Sequence, residues 1–407
     1  MRLLFVVQRY GAEIAGGAEQ HCRAFATRLA ARGHDVEVLT SRAVDYLDWA
    51  DRLPGGTEHL DGVTVHRLGV REARDLSVFQ PIDARVVAGP KPVPYSWQLD
   101  WLRAQGPELL GLAGWLDDRS PELDVVVFFT YLYWPSSIGL PVAGRHRPTV
   151  LHPTAHDEPP FYLPLFRYLL HQPSGLAYST PEEQALVESL VPPRRPNAVV
   201  GIGVDRDVVG DEAAFRSRYD LGDRPYLLYL GRIDLHKGAQ ELFDFFAAYR
   251  SRHPGQDLVL AMVGEPLQPL PYRPDVVVTG FVPDDMRAGA LAGAAALVVP
   301  SYFESFSMVL TEAWAAGRPA LVQGHCAVLD GQARRSGGAI AYRGFAEFEA
   351  ATEALLGDPS LASALGEAGR AYVTERYDWD VVLDRYERLL GEVAMSRPPR
   401  RARSAAV

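Results

Sequence analysis

Short, continuous apolar runs recur along this 407-residue chain, and each is followed by a longer stretch with helical spacing. Apolar runs of this length read as strands buried on both faces, and strands that alternate with helices assemble into parallel, doubly wound sheets. In the first half the expected strands are Leu3–Val7, Val36–Leu39, Val63–Leu68, Asp124–Phe129, Thr149–Leu151 and Leu176–Ser179. In the second half they are Tyr226–Leu230, Leu258–Val263, Val276–Thr279, Ala295–Val299 and Ala320–Val322. The length suits two domains, each with its own core. The Pro-rich segment Pro192–Pro196, followed by Gly201-Ile202-Gly203, is the expected linker, so one α/β domain is placed over 1–200 and a second over 201–376. Gly201-x-Gly203 lacks a third glycine and a helix in register, and is not read as a dinucleotide fingerprint. The stretch from Val70 to Gly106 is expected to be irregular, and loops this long inside a compact domain are often functional.

Composition excludes several classes. Apolar residues make up 47%, yet no run approaches the roughly 18 needed to span a bilayer. The opening Leu3–Val7 is too short for a signal segment and is broken by Gln8-Arg9. Only Cys22 and Cys326 occur, far apart, which points to a reducing cytoplasm. Net charge is −10 and neither half is basic, so no nucleic-acid footprint is present and wide attraction to anionic lipid is unsupported. The basic, Pro-rich stretch Arg397–Arg403 is expected to belong to a disordered tail over 396–407, with a weak peripheral membrane or partner contact as the alternative.

The most informative segment is Pro300-Ser301-Tyr302-Phe303-Glu304-Ser305-Phe306-Ser307-Met308-Val309-Leu310-Thr311-Glu312-Ala313. It follows an apolar strand and turns helical after Glu304. The free N–H groups of Ser305, Phe306, Ser307 and Met308, with the positive helix end, suit an anionic group such as a phosphate. Glu312 falls about five residues into the helix, roughly 8 Å further along at 1.5 Å per residue. A nucleoside diphosphate sugar spans about that distance between ribose and hexose. Isolated, two glutamates eight apart are most often solvated. In the setting P-S-x-x-E-S-F-S-x-x-x-x-E-A-x-A-x-G-x-P they resemble the signature of the retaining glycosyltransferases of family 4, which have the GT-B fold.

That resemblance implies two Rossmann-like, doubly wound parallel-sheet domains facing across a cleft, with the terminal helix Tyr377–Val393 returning to the first domain. Of Glu304 and Glu312, one carboxylate would bind hexose hydroxyls and the other ribose hydroxyls, Glu304 acting as a hydroxyl ligand. Gly231-Arg232-Ile233-Asp234-Leu235-His236-Lys237-Gly238 resembles the family's G-R-x-x-x-x-K-G element. Arg232 and Lys237 would neutralise the diphosphate and the charge that grows on it as the glycosidic bond breaks. The chain holds 41 basic residues but only two lysines, Lys91 and Lys237. A composition so biased toward arginine keeps a lysine where a compact ammonium is needed. His236 beside it is expected to be exposed and incidental. Glu265 and the pair Phe281-Val282 end two strands where ligands bind in open sheets, and by resemblance the backbone around Phe281 and Val282 holds the nucleobase.

In the first half, Gly16-Gly17-Ala18-Glu19 follows the first strand and resembles the family's G-G-x-E turn, which closes over the donor; a generic flexible loop is the alternative. By the same resemblance His156, just beyond the strand Thr149–Leu151, is the catalytic histidine among 11, approaching the donor sugar by a hydrogen bond or through its backbone carbonyl. His152 is its rival. Asp157 and Glu158 would orient the imidazole or bind acceptor, or are simply polar loop residues.

The resemblance implies a retaining hexosyl transfer from a nucleotide-diphosphate sugar to a hydroxyl acceptor. No carboxylate nucleophile is evident, so a front-face route is expected, in which the departing phosphate oxygen takes the acceptor's proton. No cofactor and no metal are expected: Asp205-Arg206-Asp207 lies in the linker and Asp378-Trp379-Asp380 at a helix start, where aspartates cap. Two departures stand out. Ser307 replaces the usual glycine, a change expected to be conservative, and 323–330 replaces a short glycine turn. Phe161–Leu170 reads as a buried helix with one polar edge, a lipid-linked acceptor contact being the alternative. Another GT-B enzyme, such as an epimerase or a sugar phosphorylase, and a non-catalytic sugar-nucleotide-binding subunit are the competing functions.

Overall fold

The computed structural model describes residues 1–14, 16–88, 91–193, 195–206, 210–234, 237–267 and 270–396. The expected tail beyond 396, His236 and Asp207 lie outside the described residues. The chain divides into two compact units, Met1–Val200 together with Leu383 onward, and Gly201–Val382.

The first unit is built on strands β1 (Arg2–Val6), β2 (Asp35–Ser41), β3 (Gly56–Leu60), β4 (Val63–Leu68), β5 (Val125–Phe129), β6 (Thr149–His152), β7 (Gly175–Tyr178) and β8 (Asn197–Val199). They form one sheet in the order β3-β4-β2-β1-β5-β6-β7-β8. Every pair is parallel except β3–β4, a hairpin. β3 carries no apolar run, so strand patterning misses it. Its signal is the turn Asp61-Gly62, whose φ values of 52° and 78° match the two-residue hairpin loop that such dipeptides favour. β8 lies inside the segment expected to be linker and pairs with β7.

The segment 70–106 is not irregular. It holds helices Leu76–Val87 and Tyr95–Gln105. Asp75 caps the first by accepting from Ser77 N at 2.8 Å, and Lys91 Nζ donates to the carbonyl of Val86 near its end at 2.9 Å. Trp101 donates to Asp83 at 2.7 Å, and Arg85 lies 4.2 Å from the centre of the Trp97 ring. Pro81 inside the first helix and the prolines between the two disguise helical spacing in the sequence.

The second unit carries β9 (Tyr226–Leu230), β10 (Val259–Val263), β11 (Val276–Val278), β12 (Ala296–Val299), β13 (Ala320–Gln323) and β14 (Ala339–Tyr342), parallel throughout, in the order β11-β10-β9-β12-β13-β14. β14 follows the Gly337-Gly338 pair directly, and its Ala-Ile-Ala-Tyr sequence makes a weaker apolar run than the strands expected. Both sheets are therefore of the doubly wound kind.

The last helix, Trp379–Met395, belongs from Leu383 onward to the first unit. It buries Leu383, Tyr386, Leu389, Leu390 and Val393. Tyr386 OH lies 2.9 Å from His152 Nε2, and His152 stacks on Phe129 and sits edge-on to His21. In the segment Phe161–Leu170, Phe161, Leu165, Phe166, Leu169 and Leu170 are buried while Tyr162 and Tyr168 are exposed. Among the described residues no helix is long and apolar enough to cross a membrane.

Burial holds both histidines neutral, His21 lowered to about 3 and His152 well below its ordinary value. The unfolded chain binds these protons near pH 6.5 and the folded chain does not, so the part of the stability that these two histidines contribute falls as pH drops from about 6.5 toward 3. Urea unfolding at pH 7.5 and 5.5 should show the loss, and His21→Phe should reduce it.

Candidate active site

The carboxyl ends of the second unit's parallel strands gather most of the predicted residues along one edge. β9 runs into Gly231-Arg232, β10 into Gly264-Glu265, β11 into Phe281-Val282 and β12 into Pro300–Glu304. β9 lies between β10 and β12, so the connections diverge there and leave a crevice at the switch point.

Two helices begin at this edge. The helix Ala239–Arg252 is preceded by Gly238, with φ 71°. A Cβ on Gly238 would stand 2.2 Å from the carbonyl oxygen of Pro300, so only glycine allows this helix start to lie against the loop after β12. That contact delivers Lys237 to Glu304, Nζ to Oε1 at 2.8 Å. Arg232 is exposed, with Nε 3.7 Å from Asp234 Oδ2.

The second helix, Met308–Ala315, has no side-chain cap. Its preceding residue, Ser307, has φ 72° and ψ 80°, and its buried Oγ has no hydrogen-bond partner. The substitution at this position is therefore not conservative. The usual glycine meets a left-handed backbone, which a serine side chain strains. Phe306 is buried against Tyr377, and its carbonyl accepts from the Gln332 side-chain amide. Ser305 and Met308 are half-buried. Glu312 is half-buried and paired with Arg287, on the helix Asp284–Gly293. Burial raises its carboxyl above the ordinary range, Arg287 opposes that, and Asp284 and Asp205 add to it. Phe281 is 79% exposed, a flat aromatic face at the sheet edge, whereas Val282 is buried and Glu265 exposed.

In the first unit, Gly16 precedes the helix Gly17–Ala31. A Cβ on it would lie 2.2 Å from Glu19 Oε2 and 2.9 Å from Arg9 Nη2, so the turn is fitted closely around a buried ion pair. Glu19 accepts from Arg9 Nε at 2.8 Å and from Gln8 Nε2 at 3.0 Å. Gly17 is open, with nothing near its Cβ position. His156 is half-buried on the loop after β6, with Nδ1 3.7 Å from Glu158 Oε1. Its carbonyl accepts from Glu158 N at 2.9 Å. Asp157 accepts from Tyr162 OH at 2.6 Å and Glu158 from Tyr131 OH at 3.2 Å. The rival His152 is excluded as a ligand group, because it is buried in the core.

Three partners escaped sequence reasoning. Arg287 lies 25 positions from Glu312 and carries no local signal. Arg9 reads only as the polar end of β1. Glu183, whose carboxylate accepts from Ala155 N, reads as an ordinary residue of a helix start.

A sequence profile described as "Glycosyl transferases group 1" matches residues 224–358, and one described as "Glycosyl transferase 4-like domain" matches residues 16–203. The chain is 30% identical to the D-inositol 3-phosphate glycosyltransferase of Frankia alni over 412 residues, covering 90% of this chain and 92% of that protein. It is 28% identical to the glycogen synthase of Mycobacterium tuberculosis (strain H37Rv) over 398 residues, covering 94% and 92%. The fold resembles Anabaena HepE in complex with UDP and glucose, with a TM-score of 0.69 at 15% identity over 96% of this chain and 99% of that one.

Ser307→Gly should stabilise the protein by about 1 kcal/mol, because it removes a left-handed side-chain penalty and no hydrogen bond. Urea unfolding would read the gain; a loss would mean that Oγ contributes to the resting fold.

Proposed function

The chain belongs to the family 4 glycosyltransferases, with GT-B architecture, and on that premise we propose that it transfers a hexosyl group, with retention, from a nucleotide-diphosphate sugar to a hydroxyl acceptor without a metal. The observation that carries this reading is the pairing of Lys237 with Glu304 at the sheet edge. One cation and one carboxylate are pre-placed where a diphosphate and the sugar attached to it would lie side by side.

In the proposed reaction the bond from C1 to the diphosphate oxygen breaks, and C1 bonds to the acceptor oxygen on the same face. The acceptor's proton passes to the departing oxygen, leaving a glycoside and a nucleoside diphosphate. Arg232, Lys237 and the amides of Ser305–Met308 would stabilise the charge developing on the leaving group. Such a clamp does the work a divalent cation does elsewhere. Glu304 would accept from hexose hydroxyls, and Glu312 from the ribose, with Arg287 favouring its ionised form. The exposed Phe281 ring offers a stacking face for the base, and by the family resemblance His156 would contact the sugar. The complex of HepE with UDP and glucose supports the donor class. Two free, buried cysteines support a reducing, cytoplasmic setting.

Lys237→Ala should lower kcat by about 10²–10³. The assay follows nucleoside diphosphate released from a panel of UDP-, GDP-, ADP- and dTDP-sugars. EDTA should leave the rate unchanged, and NMR of the product should show the donor's anomeric configuration. An inverted product, or a covalent glycosyl group trapped on Glu304, would overturn the front-face route.

A further inference from the structure

The pattern Thr180-Pro181-Glu182-Glu183 opens the helix Pro181–Leu190, and Thr180 Oγ1 accepts from Glu183 N at 3.1 Å. In a capping box the glutamate at this position folds back onto its own helix start. Here the carboxylate reaches further. Oε2 accepts from Ser179 N at 2.5 Å, at the end of β7, and Oε1 accepts from Ala155 N at 2.7 Å, on the loop after β6. Glu183 is buried, and the residue before Ala155, Thr154, has φ 48°. A β-branched residue in that region is strained, and such strain persists only where the surroundings over-determine it.

We propose that Glu183 is the positioning residue for His156, holding the strained Thr154–Ala155 turn so that the imidazole is presented to the substrate. The proposal rests on the role assigned above to His156, which is the residue after Ala155. The geometry needs an acceptor at both carboxylate oxygens, since two N–H groups point at them. Protonation would turn one oxygen into a donor facing a donor and loosen the turn.

Burial pushes the Glu183 carboxyl up from 4.5 to about 7, against the backbone hydrogen bonds that lower it. The direction fixes the sign. A raised carboxyl gives its stability below the ordinary value and loses it as pH rises through about 7. The fold thus gives up stability at neutral pH to keep an ionised acceptor behind the loop, a cost typical of functional sites. The groups facing it are the amides of Thr154, Ala155 and Ser179 and the Ser179 hydroxyl. Tyr178 feels both Glu183 and Glu188, and His156 and Glu158 pair on the loop itself.

The test is hydrogen–deuterium exchange of the full chain at pH 6 and pH 8, corrected for intrinsic exchange. With the carboxyl titrating near 7, the ionised fraction rises about tenfold between these pH values, and protection of the Ala155–Glu158 amides should rise with it. Exchange of the core strands β5–β7, which carries the His21 and His152 contribution to the unit's stability, is the reference above which that rise is read. Glu183→Gln should remove that pH dependence, lower turnover at least tenfold on the donor panel above, and abolish any acidic limb near pH 7. Adding Thr154→Gly, which relieves the positive-φ strain, should restore part of the turnover. Protection in the wild type that is independent of pH, or Glu183→Gln turnover equal to wild type, would overturn the proposal. If Glu183→Gln does not fold, the wild-type exchange decides alone. If His156→Ala keeps full turnover while the exchange behaves as expected, the role of His156 fails and the tie by Glu183 stands.

Discussion

The contact of Gly238 with the Pro300 carbonyl is the constraint from which the geometry of the candidate site follows. It lets the start of one helix lie against the loop leading into another, so two helix ends and two strand ends share one edge of the sheet. Lys237 and Glu304, 67 positions apart, meet at 2.8 Å because of it. Any side chain at Gly238 would have to push the loop away and separate the charges. The ion pair is thus a consequence of backbone proximity, and its own energy at a half-exposed site is modest.

The first unit uses its polar burial differently. Its buried charges sit behind two loops of the candidate site: Arg9 and Glu19 beside the Gly16 turn, Glu183 behind the His156 turn. Glu183 holds backbone directly, through the amides of Ala155 and Ser179, whereas Glu19 gathers the side chains of Gln8 and Arg9 beside the turn. Glycine at 16 answers to the closeness of that carboxylate, since its φ of 172° is one any residue adopts.

What was legible in the sequence was whatever periodicity or local motif encodes. The apolar runs located eleven of the strands to within a residue or two, and Gly231–Gly238 and Pro300–Ala313 marked the strand ends that carry the candidate site. The polar hairpin strand β3 was missed because it packs no apolar face, although Asp61-Gly62 marked its turn. Residues 70–106 were misread because proline breaks up helical spacing without, in this case, preventing helices. The pairing of Glu312 with Arg287, and of Glu183 with Ala155, depends on which loops the sheet order brings together, and no local pattern carries that. Ser307 shows the limit of reading by side-chain size: the position is selected by φ, and smallness alone does not answer it.

The two lysines divide the labour of a residue type that is otherwise absent. Lys91 closes the end of a helix, and Lys237 stands at the sheet edge beside Glu304. Side-chain amine chemistry on this protein therefore has two addresses. Acylation of one would fray a helix terminus; acylation of the other would erase the charge that faces the proposed leaving group. With arginine in place of lysine nearly everywhere else, reagents and modifying enzymes that seek lysine side chains meet two of them, one at the proposed diphosphate site.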